Sequence, residues 1–286
     1  MTRFRHPFCL AAALTAAIAG LSAPAAQERP AEVRGLWVLR ATLASPETVS
    51  RMVTSASQAG INTLFVQVRA RGDAYYASEI EPRGSLLAGQ PAPFDPLAQV
   101  LREAHAKGMA VHAWVNVGLV ADATHVPAPA RHIVRAHPEW LMVPRELAST
   151  RRAPRDPAFV PALAAWTRRN IARVEGLYAS PITSGARAYA AGIARDLSRR
   201  YALDGLHLDY VRYPHDGFDY SAGALAEFRA SLSADIPPEE LAALDARAAA
   251  APALFADRYP QRWETFRRAR VTALVAGMAA AARAER

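Results

Sequence analysis

The chain has 286 residues, of which 51% are apolar and 21% charged, with a single cysteine. That composition supports a sizeable core and excludes bulk disorder, a disulfide framework, a cysteine-based zinc centre and an iron–sulfur cluster. The formal net charge is +8 and Lys107 is the sole lysine, but the arginines are spread along the chain rather than interleaved with stacking aromatics, so nucleic acid is not an expected partner.

The chain opens with Arg3 and Arg5, an apolar run from Pro7 to Gly20, and the small-residue site Ala23-Pro24-Ala25. A basic start, a short apolar run and a small-residue site read as a signal peptide over residues 1–25, and therefore as a secreted or periplasmic protein. Cys9 would leave with it, which suits an oxidising compartment. No later run of about 20 apolar residues occurs, so no membrane span is expected after cleavage.

From Gly35 onward, apolar strands alternate with amphipathic helices. Gly35 to Arg40 reads as a first strand. Ser45-Pro46-Glu47 opens a helix, with Ser45 as its cap, and Gly60 ends it. Ile61 to Val68 is a second strand, Asp95-Pro96 caps a second helix that ends at Gly108, and Met109 to Val115 is a third strand. His137 to Val143 reads as a short accessory strand pairing with Glu175 to Pro181, with an extra helix from Pro157 to Val174 between them. Ser184 to Arg200 is a helix, Asp204 to Pro214 a fourth strand, and Trp263 to Arg286 a last helix with Trp263, Phe266, Val271, Leu274 and Val275 on its apolar side.

This rhythm predicts an α/β fold with parallel strands. A doubly wound dinucleotide fold would carry glycines after its first strand, and Val38 to Ser45 has none. The polar and aromatic residues gather at the C-terminal ends of the strands, as in a (β/α) barrel. Too few residues follow Pro214 for four more βα units. The expectation is a TIM-like barrel over residues 32–286, truncated after about four βα units, with an insertion at about 125–183. Its open sheet edges would leave apolar surface exposed.

Several blocks, in order, resemble one known family. They are Glu32-Val-Arg34-Gly35-Leu-Trp37, Gly60-Ile-Asn62 through Gln67-Val-Arg69-Ala-Arg71-Gly72-Asp73-Ala-Tyr75-Tyr76, Phe94-Asp95-Pro96-Leu97, His112-Ala-Trp114-Val-Asn116, His137-Pro-Glu-Trp140, and Asp204-Gly-Leu-His207-Leu-Asp209-Tyr210-Val-Arg212-Tyr213-Pro214. Together they are similar to the glycosyl-hydrolase-like family related to family 10, which includes divisome-associated peptidoglycan glycosidases of bacteria. The resemblance implies a TIM-like barrel acting on a cell-wall polysaccharide, namely peptidoglycan glycan strands. Many members carry a second acidic residue beside the strand-four aspartate, where this chain has Leu208 and Tyr210. Members also continue into further strands after the Trp263 helix.

Glycosidic cleavage ordinarily uses two carboxyl groups. Asp209, near the end of an apolar strand, is the expected catalytic carboxylate; the alternative is a structural bridge to Arg212 or Arg69. Strand alternation places His207, Asp209 and Val211 on one face and Leu208, Tyr210 and Arg212 on the other. Asp73 either binds sugar hydroxyls or holds Arg71. Arg69 and Arg71 either meet substrate carboxylates bidentately or hold Asp73 and Asp209 in place. Asn116 is read as a ligand contact, and Tyr76, Trp114, Tyr210 and Tyr213 as sugar-stacking surfaces, with His207 and Arg212 in the same collar. His112, Trp37 and Trp140 are read as core. No His-Glu-x-x-His and no Gly-x-Ser-x-Gly occurs, so no metal, cofactor or serine nucleophile is expected. The function expected is an exported glycoside hydrolase; the alternative is a non-catalytic carbohydrate-binding or scaffold protein of the envelope.

Overall fold

A computed structural model describes residues 32–150 and 152–286. The expected signal segment and Cys9 lie outside them. The elements run β1 (Gly35–Val38), α1 (Pro46–Gln58), β2 (Thr63–Arg69), α2 (Pro96–His105), β3 (Ala110–Asn116) and β4 (Leu119–Ala121). Then come two single turns, α3 (Ile133–Ala136) and α4 (Arg145–Ala148), followed by α5 (Phe159–Arg169), β5 (Leu177–Tyr178), α6 (Ser184–Arg200) and β6 (Gly205–Asp209). The chain closes with α7 (Ala222–Leu232), α8 (Pro238–Ala248), α9 (Leu254–Arg258) and α10 (Pro260–Arg283).

Local chemistry sets the early boundaries. Ser45 Oγ accepts from Thr48 N at 3.3 Å while Thr48 Oγ1 accepts from Ser45 N at 3.1 Å, a reciprocal cap that starts α1. Asp95 Oδ1 accepts from Ala98 N at 3.0 Å and starts α2. Each helix is followed by a glycine at positive φ, Gly60 at 73° and Gly108 at 70°, where a side chain would be strained.

The main sheet is parallel, with order β1-β2-β3-β6. Strand order follows chain order, and α1, α2, α6 and α10 all pack on one face. Val49, Val53, Val100, Leu101, Ile193, Leu197, Leu274 and Met278 meet Val38, Leu64, Val66, Val111, Ala113 and Val115 in one core. A doubly wound sheet would place helices on both faces, so this is the singly wound arrangement of an open (β/α) barrel segment. Among the described residues no helix covers the opposite face, which presents Trp37, 50% exposed, with half-buried Phe65, His112, Trp114 and His207.

Several expectations are corrected. The first strand ends at Val38, and Arg40–Leu43 coil into a 3-10 turn. The accessory pairing of Leu177–Tyr178 is made by Leu119–Ala121, antiparallel. Residues Pro138–Trp140 form a 3-10 turn instead, because Pro138 has a fixed φ and no N–H to donate to a ladder; Leu141 contributes one bridge, to Ala179. The fourth strand ends at Asp209 rather than Pro214, because Tyr210 turns away at φ 54°. The alternation expected for Tyr210 to Arg212 therefore has no strand to act on. On α10 the expected apolar side is found at Trp263 and Leu274, which are buried, and at Phe266 and Val271, which are half-buried, whereas Val275 is exposed and the buried stripe continues through Arg267, Met278 and Ala281 at helical spacing.

Candidate functional site

The site begins with ring contacts on the uncovered sheet face. Register places Phe65 between Trp37 and His112, and Trp114 beside His207. Trp37 stacks on Phe65 at 4.8 Å and meets Trp114 and His207 edge-on at 4.9 and 4.6 Å. Phe65 touches His112 at 5.2 Å and His207 at 5.7 Å. These five rings make one continuous floor. Gly205 leaves room for it, since a Cβ there would sit 2.5 Å from the His112 ring. Trp37 and His112 thus belong to the open face rather than to the core.

Asp209 stands at the end of this floor. Its Oδ2 accepts from Trp114 Nε1 at 3.0 Å and its Oδ1 from Tyr210 N at 2.7 Å. A carboxylate has about four acceptor positions, so two donors fix its plane and leave lone pairs free. The bridge to Arg69 or Arg212 is absent. Arg69 is 2% exposed and gives both edges elsewhere: Nε and Nη2 each reach a Glu81 oxygen at 2.7 Å, and Nη1 donates to the Asn116 and Val117 carbonyls. It joins the end of β2 to the end of β3 and does not reach the floor. Arg212 Nη2 lies 2.6 Å from Glu175 Oε1, with its guanidinium 5.2 Å above the Tyr210 ring.

Glu175 is the acidic residue the sequence reading passed over. Tyr178 Oη donates to its Oε2 at 2.6 Å, and the Tyr178 and Tyr210 rings lie 6.0 Å apart. Burial pushes the Glu175 carboxyl up, but the Tyr178 hydroxyl and Arg212 outweigh it and hold it below the usual range. Its sequence signal was a carboxylate at the first position of the expected Glu175 to Pro181 strand, two residues before the observed β5. Tyr210 bridges this cluster to Asp209. Gly118 lets the two segments approach, since a Cβ there would fall 2.6 Å from the Tyr210 carbonyl.

The remaining expected residues divide between surface and interior. Arg71 and Asp73 are half-buried in the turn after β2, where Asp73 Oδ1 accepts from Arg71 N at 2.8 Å. The Asp73 charge and, more strongly, burial push the neighbouring Tyr75 hydroxyl up to about 12. Tyr76 and Asn116 are buried, contrary to their assignment as ligand contacts: Tyr76 packs edge-on to Tyr201 at 6.0 Å, and Asn116 Nδ2 donates to the Ala70 carbonyl at 3.1 Å. Tyr213 turns toward α10, its hydroxyl donating to the Arg267 carbonyl at 3.2 Å. His207 lies in the floor. A cavity of about 720 Å³ opens elsewhere, among Trp140, Leu163, Thr183, Tyr220 and Glu227, and is lined by none of the expected site residues. Among the described residues no three His, Cys, Asp or Glu converge as metal ligands, and no helix is long and apolar enough to cross a membrane.

A family model for glycosyl hydrolase-like 10 matches residues 32–286. The chain belongs to the glycosyl hydrolase-like 10 family. Within that family it is similar to the glycosyl hydrolase DigH of Escherichia coli K12, 28% identical over 220 residues that cover 68% of this chain and 45% of that protein. It is also similar to the glycosyl hydrolase YngK of Bacillus subtilis 168, 24% identical over 170 residues, 58% of this chain and 28% of that one. The chain thus spans less than half the length of these curated relatives. Among solved structures it aligns with α-L-fucosidase isoenzyme 2 from Paenibacillus thiaminolyticus at 16% identity and a TM-score of 0.47, over 86% of this chain and 30% of that one. A hypothetical protein from Ruminiclostridium thermocellum aligns at 16% identity and 0.44, over 71% and 93%.

Proposed function

We propose that this member of the glycosyl hydrolase-like 10 family is an exported glycoside hydrolase that cleaves O-glycosidic bonds in peptidoglycan glycan strands. The observation that carries the reading is Asp209, fixed by Trp114 Nε1 and Tyr210 N at the end of an aromatic floor. A pyranose presents an apolar face that such rings match, and a carboxylate at the rim can serve as acid, base or nucleophile at the glycosidic bond. The relatives' names, glycosyl hydrolase DigH and YngK, support the same chemistry. The basic and apolar opening of the chain supports export.

The test is Asp209→Asn, which keeps the shape and removes the charge. Release of new reducing ends from purified glycan strands is expected to fall by two orders of magnitude or more, on the scale of a lost general acid–base group. Undiminished turnover would remove Asp209 from the mechanism. A second reading, a carbohydrate-binding or scaffold protein of the envelope, rests on Leu208 and Tyr210 occupying the places beside Asp209. Retention on insoluble glycan with no product from the wild-type protein would favour it.

A further inference from the structure

Arg267 is a buried cation for which the described residues supply no counter-ion. It is 8% exposed, on the first half of α10. Its neighbours Arg262, Arg268 and Arg270 pair with Asp235, Glu264 and Glu227, whereas no ion pair among the described residues includes Arg267. Its guanidinium lies 4.3 Å over the Tyr213 ring and 6.0 Å from Trp263, contacts that recover part of the lost hydration. Its Nε–H is buried without an acceptor.

Two further donors in the same region are also unsatisfied. Arg270 leaves its Nε buried without an acceptor and reaches Glu227 only at 3.7 Å. His215 Nδ1 accepts from Gly217 N at 3.0 Å, so in the neutral ring the proton sits on Nε2, which is buried and unpartnered. Burial, then Arg173, and lastly Arg267 disfavour protonation of His215. Glu146 and Asp216 face His215 and act the other way; the buried carboxylate of Asp219 and that of Glu227 are engaged. Asp219 accepts from Val143 N, Ser221 N and Ser221 Oγ at 2.9, 2.8 and 3.1 Å, and Glu227 accepts from Ser184 N at 3.2 Å. The region holds three buried N–H donors without acceptors, and one of them belongs to Arg267, which makes no ion pair among the described residues. An anion with acceptor oxygens answers both needs, and a carboxylate fits the planar guanidinium fork.

The geometry points to a carboxylate-binding subsite built by Arg267 over Tyr213, with His215 and Arg270 beside it, that takes an acidic group carried on a glycan. This rests on the glycoside reading of Asp209. Tyr213 is four residues from Asp209 on the same loop, which limits their Cα separation to roughly 14 Å. A sugar lying on the floor can therefore place a neighbouring unit's acid near Arg267.

The experiment measures binding of two glycans of equal length to the full chain by calorimetry. One is neutral N-acetylglucosamine tetramer; the other carries ether-linked lactyl carboxylates on alternate sugars. The wild type is expected to favour the acidic glycan about tenfold at low salt, with the preference shrinking as salt rises. Arg267→Gln should abolish the preference while leaving the neutral affinity unchanged, and Arg267→Lys should restore part of it. Equal affinity of the wild type for both glycans, or a preference that survives Arg267→Gln, overturns the subsite. If Arg267→Gln fails to fold, His215→Asn and Arg270→Gln carry the same test. Sodium lactate alone separates the two readings. If neither glycan binds, a rise in wild-type melting temperature with lactate that is absent in the variant keeps the anion site and rejects only the glycan; no rise rejects the site.

Discussion

Replacing Arg69 by Met strands a buried carboxylate. Glu81 is fully buried, and Arg69 gives it two hydrogen bonds of 2.7 Å. After the change Tyr189 Oη, at 3.2 Å, would be the one side-chain donor among the described residues still hydrogen-bonded to a Glu81 carboxylate oxygen. The Asn116 and Val117 carbonyls would lose their Arg69 donor as well. Breaking one side of a buried pair costs about 3–5 kcal/mol, because the remaining charge keeps its desolvation penalty. Arg69→Met is therefore expected to destabilise by that amount in urea unfolding at neutral pH, with an unchanged dependence on denaturant. The double variant Arg69→Met/Glu81→Leu removes the stranded charge and should regain roughly half of the loss or more. A cost below about 1 kcal/mol for the single variant, or a double variant no more stable than the single, would refute the assignment of this pair as a desolvated link between β2 and β3.

Two other outcomes follow from the same geometry. Trp114→Phe keeps an aromatic ring in the floor but removes the donor to Asp209; a hydrogen bond to a charged group is worth about 1.5–3 kcal/mol, so glycan turnover should fall roughly tenfold or more, and unchanged initial rates would separate Trp114 from the chemistry. His132 is buried and its pKa is lowered from 6.5, chiefly by burial; the unfolded chain then binds the proton more readily, so His132 contributes stability above pH 6.5 that is lost as pH falls below it, and a melting-temperature profile of His132→Gln should be flatter between pH 5 and 7 than that of the wild type.

What was legible in the sequence was local. Ser45, Asp95, Gly60 and Gly108 act within a few residues of themselves, and the helices they bound run where their spacing predicts. The Ser184–Arg200 helix and the parallel strands were equally readable from apolar period. Non-local partners were not. Nothing near Arg69 in sequence announces that Glu81, folded back from a loop, takes its charge, or that Glu175 waits for Arg212. Trp37 looked like core because tryptophan in an apolar strand usually is, but among the described residues helices cover one face of this strand and Trp37 lies on the other. Tyr210 broke the expected alternation because a single residue at positive φ can end a strand with no glycine to mark it.

The strand order has a consequence for the newborn chain. β1, β2 and β3 are neighbours in sequence as well as in space, so they can pair as they leave the ribosome. The last edge, that of β3, must wait: Trp114 and Asp209 are 95 residues apart. Until β6 has been translated, β3 presents a row of unpaired amides and carbonyls, the kind of edge that recruits foreign strands. The intervening chain supplies its own small sheet and a separate apolar cluster around Leu141, Leu163 and Leu177. It can thus bury its own apolar residues without borrowing that edge, which stays vacant for the strand that brings the carboxylate.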